Sequence, residues 1–408
     1  MTRILFIHQN FPGQFGHVAE ALADAGHEVV ALGTQTRQVP GVRCLGYAVR
    51  APAQPSQDEA VRDFETKVVR GLACARAMER LRAEGFVPDV IVAHPGWGEA
   101  LFCKDIWPQA RLLVFAEFFY GAEGSDFGFD PEFASPHPAA LHRLRLKNTA
   151  LLHAYAAADG GYAPTVWQHS RIPAEYRARF DVAFDGIDTL VASPDAAAWV
   201  QLRRKGARLA AGDEVITFVN RNLEPYRGFH IFMRALPEIL RRRPKAHVLI
   251  IGGNDVSYGA KPAGGGTWRE VLLAEVGAGL PSARVHFLGR VPYADYLRVL
   301  QVSAYHVYLT YPFVLSWSCL EAMSAGCPVV GSRTAPVQEV IEHGQDGLLV
   351  DFFDIPALVQ QVCDVLEDPK KYLPLRQRAR AKVVERYDLR SRCLPRLVDL
   401  VLGKRGGN

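Results

Sequence analysis

Residues 310–350 read TYPFVLSWSCLEAMSAGCPVVGSRTAPVQEVIEHGQDGLLV. A Ser-rich turn at Ser316 and Ser318 opens a short helix carrying Glu321, and Gly326 stops it. Cys327-Pro328-Val329-Val330 follows as a buried strand, and a second helix is expected from near Pro336 to Gly344. Such a strand–loop–helix unit aims free backbone N–H groups and one carboxylate into the same crevice. That suits an anionic ligand with a sugar ring bearing paired hydroxyls, which describes a nucleotide.

Working outward, the same alternation recurs. Apolar runs at Val215–Asn220, His247–Ile251, Val285–Leu288, Ala304–Leu309 and Pro328–Gly331 alternate with helical segments. The N-terminus opens likewise: strand Ile4–His8, Gly/Pro turn Asn10–Gly16, helix His17–Ala25 ended by Gly26, then strand Val29–Leu32. Further strands are expected at Val90–Ala93 and Leu112–Phe115, with helical periodicity over residues 59–84. Repeated βαβ units imply parallel sheets. At 408 residues the chain exceeds one ordinary core. We therefore expect two doubly wound domains, 1–185 and 195–387, joined by a linker near 181–195. A C-terminal helix at about 388–408, within the basic helical segment Lys370–Asn408, is expected to pack back on the first domain. The Gly-rich stretch Ala260–Gly266 reads as a surface loop.

Apolar residues make up 49% of the chain and charged residues 22%, as in a soluble globular enzyme. A net charge of +4 argues against a dedicated nucleic-acid binder and is compatible with small anionic ligands. The seven cysteines form no CxxC pair, which points to reduced thiols and a cytoplasmic protein. The first apolar run is too short for a signal peptide, and no segment reaches bilayer-spanning length.

Three constellations carry candidate chemistry. In Asn10-Phe11-Pro12-Gly13-Gln14-Phe15-Gly16, Gly13 permits close backbone approach where a helix N-terminus attracts phosphate; a tight strand-to-helix turn is the plain alternative. Arg221 and Arg227 sit six apart between a strand and a helix, so both guanidiniums are expected to converge on diphosphate oxygens. Solvated loop arginines are the alternative. Glu321 is expected to accept from ribose hydroxyls, with Ser316, Trp317 and Ser318 presenting backbone amides to a phosphate. Ser318-Cys319-Leu320-Glu321 also has capping-box spacing, which would give Glu321 a structural duty instead. The basic stretch Leu141–Lys147 reads either as a contact for anionic lipid headgroups or as a solvated helix face.

Together these pieces resemble the family-4 retaining glycosyltransferases, over nearly the whole chain and most strongly from Val215 to Val350. That resemblance implies the GT-B fold, an α/β architecture of two Rossmann-like doubly wound domains facing across a cleft. It assigns Gly13 to the Gly-rich first loop, and Arg221 and Arg227 to the Arg-x5-Lys pair that holds the donor diphosphate, with arginine replacing lysine. Asp185-Gly186-Ile187-Asp188 matches the interdomain signature, and Val291, after Val285–Gly289 and Arg290, matches the base pocket. Glu321 ends the Glu-x7-Glu signature, with Ser316, Trp317 and Ser318 ahead of it.

Two positions depart from the family pattern. The signature's first glutamate, which contacts donor-sugar hydroxyls, is Phe313 here, and a histidine after a central N-domain strand is Glu117. With His94-Pro95-Gly96-Trp97-Gly98-Glu99, these substitutions resemble a bacterial subgroup with a variant active site. The implied activity is front-side sugar transfer with retention from a nucleotide-diphosphate sugar, UDP favoured over GDP or ADP. The implied acceptor is a glycan, a lipid-linked sugar or another glycoconjugate, reached in the cytoplasm or at the inner membrane face. No Asp-x-Asp occurs, so no metal is expected. Leaving-group charge falls to Arg221 and Arg227, and Glu117 or His94 positions the acceptor or sugar. Two rival readings remain. A GT-B epimerase or hydrolase would use Glu117 and Glu99 as acid and base, whereas a non-catalytic GT-B partner subunit would fit the loss of glutamate at Phe313.

Overall fold

The computed structural model describes the chain except residues 52–53, 136, 203–205, 207 and 405–408. The last of these belong to the expected C-terminal helix and lie outside the described residues. The chain divides into two units, 1–186 with 389–408, and 187–388.

The first unit is built on seven parallel strands: β1 (Arg3–Ile7), β2 (Glu28–Gly33), β3 (Arg43–Gly46), β4 (Val90–Ala93), β5 (Arg111–Phe115), β6 (Gly160–Ala163) and β7 (Phe180–Val182). Their order is β3-β2-β1-β4-β5-β6-β7, so the winding reverses between β1 and β4. The strand period of two sends alternate residues to opposite faces. Leu5 and Ile7 enter one buried cluster with Ala73, Met78 and Leu81 of helix Glu59–Ala83. Ile4 and Phe6 enter another with Val18 and Leu22 of helix Gly16–Asp24. Strands covered on both faces must be apolar along their buried length, and Ile4–Ile7 of β1 and all of β4 are. Leu397 and Val401 of helix Leu394–Leu402 join that second cluster, and Arg111 Nη2 donates to the carbonyls of Leu400 and Val401.

The second unit begins with a two-stranded antiparallel hairpin, β8 (Trp199–Gln201) and β9 (Arg208–Ala210). Six parallel strands follow: β10 (Val215–Asn222), β11 (His247–Gly253), β12 (Val285–Gly289), β13 (Tyr305–Tyr308), β14 (Val329–Ser332) and β15 (Leu348–Val350). Their order, β12-β11-β10-β13-β14-β15, reverses between β10 and β13. In sheets of this kind, ligands bind beyond the carboxyl ends of the strands at that reversal.

One expected element is not there. From Pro336 the chain makes a single turn, Ala335–Gln338, and no helix continues to Gly344. Beyond it the Asp346 carboxylate takes the Glu342 N–H at 2.8 Å, and Gly344 N–H bonds to Gly347 O at 2.8 Å, so local partners replace the helical ladder. Within the segment 181–195 the units divide between Gly186 and Ile187. Residues 180–182 form β7, and Ala192 O accepts from Ser324 Oγ inside the second unit.

Candidate functional site

Each unit gathers its candidate residues near the carboxyl ends of its strands. In the second unit, helix Trp317–Ser324 follows β13. Its N-cap is Ser316, whose Oγ accepts from Ser318 N–H at 3.4 Å, so Ser318 and Glu321 form no capping box. Gly326, at φ +77°, closes the helix, and Cys327 N–H returns to Ala322 O at 2.9 Å. Glu321 is therefore free of helix duty. Its Oε1 accepts from Tyr293 Oη and its Oε2 from Tyr296 Oη, each at 2.7 Å. Burial pushes its pKa up, and the two phenols work in the opposite direction. Both tyrosines lie on helix Tyr293–Gln301, three residues apart and on one face.

The two arginines occupy different surroundings. Arg221 lies where β10 shifts register against β11, between Val219 and Asn222. There its side chain is exposed and makes no hydrogen bond or ion pair among the described residues. Arg227 is only 5% exposed. Its Nη1 donates to Thr310 Oγ1 at 2.8 Å and to Val314 O at 2.9 Å. Burial opposes its charge, but Tyr308, Tyr258 and Glu224 outweigh that and raise its pKa. Of the two loop guanidiniums, that of Arg221 is thus exposed and that of Arg227 enclosed.

Phe313 is also buried, at 3% exposure. Its ring meets Tyr226 edge-on at 5.2 Å and Tyr258 at 4.8 Å, and the Arg227 guanidinium lies 5.7 Å from its centre. Two departures from the family pattern, arginine for lysine and phenylalanine for glutamate, are therefore neighbours. A planar guanidinium stacks on aromatic faces where an ammonium is a point charge. Above them Glu224, itself buried, accepts from the backbone N–H groups of Ser257, Tyr258 and Gly259 at 2.9, 3.2 and 2.9 Å. That carboxylate pins the loop carrying Tyr258.

Two of the three amides expected for phosphate are already engaged. Ser316 N–H donates to Tyr308 Oη at 2.8 Å, and Ser318 N–H goes to the N-cap. Trp317 remains 42% exposed at the helix start. Val291 lines a cavity of about 1120 Å³ together with Trp199, Arg269, His286 and Arg290, and Glu321, Arg221 and Arg227 do not line it.

In the first unit the turn after β1 holds Gly13 at φ +50°, where a Cβ would lie 2.4 Å from His8 Nε2. Only glycine fits. His8 Nδ1 accepts from Asn10 N–H, so Nε2–H donates to Gln14 Oε1 at 2.9 Å. Burial first, and His94 second, lower the His8 pKa to about 3, keeping the ring neutral. The Gln14 amide is thereby oriented to donate to Glu117 Oε1 at 3.4 Å. His94, which follows β4, accepts from Gly96 N–H at Nδ1 and so donates from Nε2 to Glu117 Oε2 at 3.3 Å. Its ring stacks on Trp97 at 4.2 Å. Glu117, which follows β5, keeps 37% of its side chain exposed. It is a part-exposed carboxylate contacted from one side by the Gln14 amide and from the other by the His94 ring. Glu99 differs: it is fully buried, takes the Tyr47 hydroxyl at 3.3 Å, and burial raises its pKa.

Sequence reasoning missed Tyr293, Tyr296, Glu224 and Gln14 as partners. The spacing of the tyrosine pair in a helix start was the one available signal. On the basic stretch, Lys147 is drawn inward over the Tyr120 ring at 3.8 Å, and its carbonyl accepts from Lys67. Leu141, His142, Arg143 and Arg145 stay exposed.

Residues 25–192 match the family described as glycosyl transferase family 4 group, and residues 201–382 match glycosyl transferases group 1. A GDP-mannose-dependent alpha-(1-6)-phosphatidylinositol monomannoside mannosyltransferase of Mycolicibacterium smegmatis is 26% identical over 54% of this chain and 55% of its own length. The chain thus spans about half the length of the curated relatives it matches first. Among solved structures, a sucrose-phosphate synthase from Thermosynechococcus elongatus superposes with TM-score 0.73 at 18% identity, covering 99% of both chains. Anabaena HepE in complex with UDP-glucose superposes with TM-score 0.69 at 16% identity, covering 99% of this chain and 100% of that one. Two parallel α/β units of this order and these likenesses are the GT-B fold. The two family models and these relatives together support a family-4 glycosyltransferase of that fold.

Proposed function

We propose that the protein transfers a sugar, with retention and without a metal, from a nucleotide-diphosphate sugar to a glycan, glycolipid or other glycoconjugate acceptor. The observation that carries this reading is the pairing of Arg221 with Glu321 in one unit. Arg221 is a free cation at the carboxyl edge of β10, and Glu321 is a braced carboxylate at the helix after β13. One suits diphosphate oxygens and the other a ribose diol. Arg227 supplies a second, fixed positive charge, so departing phosphate charge is stabilised by groups already in place. In the first unit the part-exposed Glu117 carboxylate positions a sugar or acceptor hydroxyl, and the departing phosphate oxygen takes the acceptor proton.

UDP is the proposed carrier, supported by the Anabaena neighbour solved with UDP-glucose. The mycobacterial relative is named as GDP-mannose-dependent, so GDP is the competitor to test. That relative's name also supports a lipid-linked acceptor. The exposed Arg143 and Arg145 would then lie near anionic headgroups, and no helix among the described residues is long and apolar enough to cross a membrane. A thermal-shift panel of UDP, GDP, ADP and their sugars tests the donor site. Stabilisation by UDP at millimolar concentration is expected, and none by any nucleotide overturns the reading. Mass spectrometry of donor turnover in EDTA should show unchanged rates, and loss that Mg²⁺ restores would reject metal independence.

A further inference from the structure

We infer that Tyr293 and Tyr296 are positioning residues that make Glu321 a receptor for an intact ribose cis-diol, so that this chain discriminates ribonucleotides from 2′-deoxyribonucleotides. The inference rests on the nucleotide-sugar reading above.

An ionised carboxylate has about four acceptor positions, two on each oxygen. In Glu321 each oxygen already holds one phenolic hydroxyl at 2.7 Å. One position therefore remains on each oxygen, and a pair of adjacent hydroxyls would fill both. Two donors on two different oxygens also stop the carboxylate from rotating about its last bond, so the open positions keep a fixed direction. The braces differ in their setting. Tyr296 is 8% exposed and holds the carboxylate from the core, whereas Tyr293 is 51% exposed and flanks it on the solvent side. Tyr293 also follows Val291 by two residues, at the start of the same helix.

A buried acceptor pair built for two donors penalises a ligand that brings only one, because the other position is left unfilled in a desolvated site. The loss of one hydrogen bond to a charged acceptor corresponds to about 10- to 100-fold in affinity. Without the braces the carboxylate can turn to meet a single hydroxyl, and that penalty shrinks.

Calorimetric titration of the 408-residue chain with UDP and 2′-deoxy-UDP tests this in wild type, Tyr293→Phe, Tyr296→Phe and the double variant. GDP and its 2′-deoxy form replace them if GDP binds better. Wild type is expected to prefer the ribonucleotide by about tenfold or more. The preference should fall to within a few-fold in the double variant, while ribonucleotide binding persists at reduced affinity. Tyr293→Phe, at a half-exposed position, keeps the test open if the double variant does not fold, and it should show part of the same narrowing. An unchanged ratio in folded variants overturns the inference. So does a wild type that binds both nucleotides equally, and that result leaves the nucleotide reading standing. If wild type binds no nucleotide at all, the broader reading falls and this one falls with it.

Discussion

At the scale of single residues, Phe313 is the position where sequence and structure part most informatively. By family pattern it should face the donor sugar, yet it is a core residue between Tyr226, Tyr258 and Arg227. Phe313→Glu is therefore expected to restore nothing. The introduced carboxylate would be desolvated beside Arg227 and would compete with phosphate for that charge. A loss of about 3 kcal/mol or more in the second unit, with weaker nucleotide binding and no gain in turnover, is the expected outcome. Phe313→Leu should cost about 1–2 kcal/mol and leave nucleotide binding in place. Faster transfer by Phe313→Glu would show that the position does face the sugar. Glu321 gives a second prediction at this scale. Burial raises its pKa, so the ionised form that a ribose needs is lost as pH falls through a value above the ordinary glutamate range of about 4.3. Nucleotide affinity should fall with it, and Glu321→Gln should remove that limb of the pH profile. Stability has the opposite sign: burial of the charged form costs stability as pH rises through the same value. Arg221 and Glu321 were legible because a strand end and a helix start mark them. Arg227's burial was not, since it depends on Thr310 and Val314, more than eighty positions away.

At the scale of elements, the strands of both sheet centres were legible as continuous apolar runs, the signature of strands covered on both faces. β3, β6, β7, β8, β9 and β15 were not. Each has only three or four residues, and β6 (Gly160–Ala163) carries two glycines, so composition does not distinguish them from turns. The helix expected from Pro336 to Gly344 failed for the converse reason. Its apolar spacing fits a helix, but Asp346 and Gly347 offer the backbone nearer partners. The loop around Tyr258 owes its place to Glu224, and that contact predicts a phenotype. Glu224→Ala removes the acceptor of three backbone N–H groups, each bond to a carboxylate contributing about 1.5–3 kcal/mol when fully desolvated. Because the loop is only part-buried, the net cost should be about 2–3 kcal/mol. Limited proteolysis should then cut residues 255–266 faster, and resistance equal to wild type would mean the loop is held by its aromatic contacts alone.

At the scale of the whole molecule, the chain's return to its first unit is a long-range feature with a local energetic basis. Helix Leu394–Leu402 presents Leu397 and Val401, one helical turn apart, to the cluster containing Ile4, Phe6 and Val18. Arg111 closes the helix by taking its last carbonyls. Burying each of these two side chains contributes about 1.5–3 kcal/mol, a sizeable fraction of what holds any domain folded. Helical periodicity suggested the segment. Residues up to Asp388 stay with the second unit, and those from Leu389 onward belong to the first. That division makes a sharp test possible. In a chain ending at Asp388, differential scanning calorimetry should show the first unit's transition lowered by roughly 10 °C or more, given about 2–4 °C per kcal/mol for a unit of this size. The second unit, whose contacts are intact, should melt where it did. Leu397→Ala with Val401→Ala should reproduce much of the shift without shortening the chain, since large-to-small changes at such sites cost about 2–5 kcal/mol for the leucine alone. If both variants move the two transitions equally, the helix stabilises the molecule as a whole; if neither moves the first, its apolar contacts contribute little to the fold.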